Sequence, residues 1–219
     1  MGRMLRLGLP WVLAVTLFSA AGFGMPFDFR TPDTFNSIKV QVVTSFGSGE
    51  LKGEIRGARG KLEFDPSMPG GTRGNLIFDA RGIRLFYPKS NADVHTSTWL
   101  DTKRFPQITF ALRGIRNLRQ SGGDMKGEIV GTLTLKGRPK ELVLPATIRY
   151  QRGERRTIDG RAGDLLSVKT ELSILREEFG INPGGMLDQV ANEISVTVNL
   201  LGRSDKVRPL LPNKLFAAP

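Results

Sequence analysis

Apolar and polar positions alternate along most of this chain. The clearest case is Glu193 to Leu201, where Ile194, Val196, Val198 and Leu200 fall on one side and Ser195, Thr197 and Asn199 on the other. A period of two belongs to a strand with one buried face. The same pattern runs through Asn36 to Thr44, Asn75 to Ala80, Lys126 to Leu135, Glu141 to Tyr150 and Leu165 to Leu172. Leu51 to Phe64 reads as one long strand that Gly53, Gly57 and Gly60 bend or bulge. Turn clusters separate these runs at Ser45–Gly49, Asp65–Gly71 and Gln120–Asp124, and Lys136–Lys140 reads as a tight hairpin connection. Gly153 to Gly163 and Arg176 to Gly185 read as loops.

One stretch breaks the alternation. From Trp99 to Arg104 the mix of Leu, Asp and Lys suits a short helix or helical turn. Pro106 lacks an N–H and disfavours helix at Phe105, so a boundary falls there. Beyond it Ile108, Phe110 and Leu112 share a face of an extended segment. About eight strands with one helical interruption predict an all-β fold, an antiparallel barrel or sandwich. A closed barrel of eight is either filled by its own side chains or just wide enough for one small ligand. The expected inner positions include Leu62, Phe64, Phe78, Ile108, Phe110, Ile129, Leu133, Leu144, Val168, Leu172 and Val196. All are aliphatic or Phe, so they either pack a core or line a cavity for an apolar ligand.

Composition narrows the setting. The chain has 219 residues and no cysteine, which excludes disulfides, thiolate catalysis and Cys-ligated zinc. Arg3 and Arg6 precede an apolar run from Leu7 to Leu17, and Ser19-Ala20-Ala21 supplies small residues for cleavage. The run falls short of the about 20 residues that span a bilayer. The expected layout is a signal peptide over 1–21, an irregular N-terminal segment over 22–35, one barrel domain over 36–202 and a flexible basic tail over 203–219. An uncleaved anchor is the other reading of the leader, and Gly24 the other cut. The implied location is a bacterial periplasm. The formal +11 less Arg3 and Arg6 leaves +9. Its basic residues are scattered, with no nucleic-acid recognition element, so they read as a solvated basic surface, with weak attraction to anionic lipid head groups at a membrane surface as the other reading.

Catalysis is hard to assemble. There is one histidine, and no nucleophile elbow, phosphate loop or dinucleotide fingerprint. Carboxylate pairs such as Glu171 with Glu177 or Glu178 show no acid–base spacing. No catalytic residue, cofactor or metal is therefore expected. An outer-membrane barrel needs aromatic girdles at both ends, and two Trp and two Tyr are too few.

Four segments together resemble the YceI-like family. Gly131-Thr132-Leu133-Thr134-Leu135-Lys136-Gly137 with Val143-Leu144-Pro145 is similar to its central hairpin. Trp99-Leu100-Asp101 through Phe105-Pro106 to Phe110 is similar to its plug and elbow. Ile174 to Ile181 resembles its loop before the last strand, and Gly60 to Pro66 its second strand. The resemblance spans roughly Asn36 to Leu201. It implies an eight-stranded antiparallel lipocalin-like barrel with a short helical plug and an elongated apolar cavity. It also implies an exported protein that binds a polyisoprenoid or isoprenoid-quinone-like lipid, and no enzyme. His95 and Arg176 are the head-group candidates. His95 stands nearer Trp99-Leu100 than the family spacing, so it and Asp93 also read as loop residues. Arg176 can instead pair with Glu178 or another carboxylate and fix the loop. A periplasmic hydrolase and a packed barrel acting as a stress or interaction protein are the alternatives, and homodimerisation stays open.

Overall fold

A computed structural model describes residues 24–30 and 35–209. The signal peptide expected over 1–21 and the end of the tail, 210–219, lie outside the described residues. Strands form where side chains alternate: β1 Met25–Arg30, β2 Ser37–Thr44, β3 Glu50–Ile55, β4 Ala58–Phe64, β5 Arg73–Asp79, β6 Ile83–Leu85, β7 Gln107–Ser121, β8 Asp124–Leu135, β9 Arg138–Gln151, β10 Leu165–Leu175 and β11 Val190–Arg203. Two short helices, α1 Pro88–Asp93 and α2 Arg156–Asp159, interrupt them.

These strands make eight staves of a closed antiparallel barrel. β3 and β4 are halves of one stave broken at Arg56-Gly57, and β5 and β6 are halves of the next, broken by a 3-10 turn at Ala80–Gly82. β1 and β2 share a single track. β1 pairs with β4 from Met25↔Phe64 to Arg30↔Arg59, and β2 pairs with β3 from Lys39↔Glu54 to Val43↔Glu50. Both reach β11, β1 at Asp28↔Arg203 and β2 from Ser37↔Asn199 to Thr44↔Val190, and this closes the ring. Between β8 and β9, Lys136 and Gly137 both have positive φ (50° and 74°), the backbone of a two-residue turn whose twist matches its strands.

The strand assigned here to β1 corrects the irregular N-terminal segment. Met25, Phe27 and Phe29 alternate inward and are buried, and they fill one end of the barrel against Phe64, Leu62, Ile148 and Leu166. The Phe27 ring meets Phe64 edge-on at 6.1 Å and Tyr150 at 6.3 Å, an arrangement that adds to simple burial.

Two further expectations are settled or changed. Of the two readings of Trp99 to Arg104, helix or helical turn, the structure shows turns, with Leu100 N–H on Val94 O (3.1 Å) and Asp101 N–H on Thr96 O (2.8 Å). Asp101 sits at φ 48° and the Ser97-Thr98 pair is a poor helix former, so no helix propagates. The helix lies earlier, in α1. The elbow falls as expected, with β7 starting just after Pro106. At the other terminus the chain is anchored at two points rather than free from Arg203: Ser204 is buried, and Arg208 forms an ion pair with Asp65, with exposed Asp205, Lys206 and Val207 between them.

Candidate functional site

The inward faces of the staves do not fill the barrel. Above the aromatic end, a cavity of about 460 Å³ runs up the lumen and reaches the surface between Phe46, Tyr87, Lys89 and Met186. Phe78, Ile108, Phe110, Ile129, Leu133, Leu144, Val168, Leu172 and Val196, all expected inside, line it. Leu62 and Phe64 do not. They belong to the packed end, around a void of about 30 Å³ that Phe29 and Ile148 share. Period two sets which face a residue occupies, and β1 sets what fills that height of the barrel. Leu76, Phe110, Ile129, Val168 and Leu200 border both the cavity and the void, and so form its floor. Phe110 lies on Gly131, where an added Cβ would stand 2.5 Å from the Phe110 Cζ. The glycine opens the wall for the ring.

The mouth is held by buried polar bonds. Arg176 is fully buried, and all its N–H groups point at backbone carbonyls: Nε to Ala191, Nη1 to Ile181 and Asn182, Nη2 to Gly185 and Val190, at 2.5 to 3.3 Å. The planar fork can serve five acceptors at once, which an ammonium cannot. Among the described residues no carboxylate forms an ion pair with it. Glu178 pairs with Lys140 (2.8 Å), and Glu177 accepts from the Gly184 N–H (2.6 Å). Burial pulls the Arg176 guanidinium below its ordinary range, with the charge of Glu177 opposing. The residue borders the cavity, yet its donors are spent on the loop that forms the lip.

His95 is placed differently. It does not line the cavity: Nδ1 lies 3.4 Å from Thr102 Oγ1, and its ring bonds to the Ile83 backbone. Burial, with the positive charge of Arg84, holds it below the usual histidine value. With Thr102 N–H closing a turn on His95 O, the ring is held against Thr102 and the Ile83 backbone, off the cavity lining. Asp93, on α1, does reach the cavity rim. Lys136 is a residue the sequence reading missed. Its Nζ donates to the carbonyls of Ser97 (3.0 Å), Thr98 (3.3 Å) and Gly180 (2.8 Å), tying the hairpin turn to the plug and the lip. Its place before Gly137 in the hairpin connection was the available signal.

A family model described as YceI-like domain matches residues 31–201. The chain belongs to the YceI-like family. A UPF0312 protein of Pseudomonas savastanoi pv. phaseolicola is 24% identical over 147 residues, 66% of this chain and 73% of that one. Among solved structures, Burkholderia cenocepacia BcnA superposes with a TM-score of 0.61 at 21% identity, covering 76% of this chain and 95% of its own. A polyisoprenoid binding domain from Saccharophagus degradans gives 0.59 at 13% identity, covering 81% and 98%. At such identities these structures speak for the fold.

In this YceI-like barrel the end opposite the mouth is sealed by a second polar set. Asp164 is fully buried and accepts from Tyr150 Oη (2.6 Å) and from the N–H groups of Gly153 (2.7 Å) and Arg208 (3.0 Å). Burial and the adjacent Asp164 push the Tyr150 phenol well up. Burial pushes Asp65 up too, but hydrogen bonds from Arg208 and Ser67 outweigh it and hold the carboxyl down at about 2.

Proposed function

We propose that this chain holds one polyisoprenoid molecule, its tail in the lumen and its polar end at the mouth, and releases it unchanged. One observation carries the reading: an apolar cavity of about 460 Å³, floored by the Phe110 layer and reaching the surface at its other end. Burying a CH₂ contributes about 0.8 kcal/mol, so a branched hydrocarbon tail can be held by contact alone. Polar groups are few around the mouth, chiefly Ser90, Gln189, Lys89 and Asp93, and Arg176 has no free donor. Selection therefore rests on the tail more than on the head group. Such a mouth suits an uncharged head, and an isoprenoid quinone is one such ligand. The similar domain from Saccharophagus degradans is described as polyisoprenoid binding, which supports this class of ligand. A periplasmic location, reached through the leader, completes the proposal.

Trp99 borders the cavity, and Trp11 belongs to the leader, so the mature domain carries one tryptophan as its own reporter. Titration with prenyl alcohols of increasing length should change Trp99 fluorescence saturably. Affinity should rise by at least about tenfold per isoprene unit until the lumen is full. A flat, unsaturable response to every prenyl alcohol would rule the reading out.

A further inference from the structure

The mouth is the place where exposed apolar side chains occur in adjacent pairs. Most exposed large hydrophobics of the described residues stand singly, such as Val43, Met68, Val143 and Leu175. The exceptions are Phe86-Tyr87 and Met186-Leu187, with exposures of 67%, 48%, 42% and 47%. Tyr87 and Met186 line the cavity, so each pair sits on a lip of its opening. Single exposed apolar residues are ordinary, whereas grouped ones mark a contact surface.

Neither pair is a frayed segment. Phe86 N–H bonds to Lys52 O (2.9 Å), and the Phe46 ring packs on Tyr87 at 5.9 Å. On the other lip, Met186 O accepts from Gln189 (3.0 Å) and Val190 (2.8 Å), and Arg176 holds the Gly185 carbonyl at 2.6 Å. The backbone thus presents these side chains to solvent by construction. Exposed Arg84 and Lys89 flank the first pair, in a chain of formal charge +11. Tyrosine with apolar and basic neighbours is the make-up of a residue set that sits at a lipid head-group boundary.

We infer that the two lips form a docking surface for a lipid bilayer, seating the cavity mouth on the membrane so that the ligand's tail crosses without entering water. This rests on the proposed ligand class, because a water-soluble ligand needs no such seat. Arg84 and Lys89 beside Phe86-Tyr87 give that lip the charge that anionic head groups complement, which favours a bilayer over a second copy of this basic chain.

The test uses the mature protein and vesicles of phosphatidylcholine with and without phosphatidylglycerol. The variant is Phe86→Asp with Leu187→Asp, neither of which lines the cavity. Co-sedimentation with vesicles should fall at least about tenfold in the variant. Transfer of a pyrene-labelled prenyl lipid between vesicles should fall with it, while uptake of the same lipid from ethanol stays unchanged. Three results would overturn the inference: wild type that takes up lipid from ethanol but ignores vesicles, a variant that sediments and transfers like wild type, or a wild-type dimer that the variant dissociates, which makes a second copy the occupant. Loss of ethanol uptake in wild type would sink the ligand class instead, and vesicle sedimentation would still decide whether the lips bind a bilayer.

Discussion

The guanidinium carbon of Arg176 lies 5.5 Å from the centroid of the Trp99 ring. That contact joins the lip after β10 to the turns that plug the barrel mouth, two segments far apart in sequence. A cation over an aromatic face is attracted to it, more strongly when water is excluded. With five carbonyls around it, Arg176 is the keystone of the mouth rather than a free charge waiting for a ligand.

Replacing Arg176 should therefore act first on stability. Arg176→Met leaves buried carbonyls unpaired, each costing about 1–3 kcal/mol when nothing replaces the donor. Partial collapse of the loop limits the sum, and we expect a loss of about 3–5 kcal/mol, as for other broken buried charge networks. Arg176→Lys should recover little of it, since three donors on a point charge cannot serve the planar set. Urea midpoints for the three proteins check this, and a Lys variant as stable as wild type would refute it.

Phe110 should set how deep a tail can reach. Phe110→Ala removes the floor above the small void, at a cost of about 3 kcal/mol, the low end for a large ring because this one is only partly buried. In return, the prenyl alcohol length at which affinity stops rising should move up by one isoprene unit. Titrating the same alcohol series against both proteins reads that shift, and an unmoved plateau means that Phe110 is not the floor.

Leu133 tests the wall itself. It is buried in an apolar cluster with Ile108, Leu135 and Ile174, and it lines the cavity. Leu133→Glu brings a polar group into that space, and such burial without a partner is costly. Retention of co-purifying lipid should be lost in a protein whose circular dichroism still shows the barrel. Full retention in a folded variant would count against this wall as the binding surface.

Acid should open the sealed end before the mouth. Asp65 has its carboxyl lowered to about 2 by Arg208 and Ser67 against the desolvating effect of burial. A carboxyl whose folded value is depressed stabilises above its unfolded value, near 3.9, and loses that contribution as pH falls toward about 2. Its contribution at neutral pH is about 2 kcal/mol by that shift. The stability gap between wild type and Asp65→Asn should be constant above about pH 5 and close between about pH 4 and pH 2. A gap that persists at pH 2 would contradict the Asp65–Arg208 latch.

The barrel was largely legible in the chain because its strands are long and one-sided. Ile194 to Leu200 and Leu142 to Tyr150 leave no doubt about which face is buried, and Pro106 marks the elbow by its missing N–H. What alternation cannot give is height along the barrel axis. Leu62 and Phe64 point inward as expected, yet they fall at the packed level because β1, paired with β4 through Met25↔Phe64, brings Phe27 and Phe29 there. That pairing joins residues almost forty positions apart, and β1 is too short to announce itself. Arg176 was likewise visible as a singular residue, but its five partners are backbone carbonyls, which carry no sequence signature. The anchoring of the chain at Ser204 and Arg208 was hidden for the same reason: its partners, Asp65 and Asp164, lie in loops next to β4 and β10.

The central claim is that the lumen holds an isoprenoid tail. Native mass spectrometry of the mature protein, purified without detergent from the cells that make it, tests this most directly. The account predicts a discrete added mass that solvent extraction releases as a prenyl lipid or quinone. A clean protein mass, unchanged after incubation with prenyl alcohols long enough to fill the cavity, would contradict it.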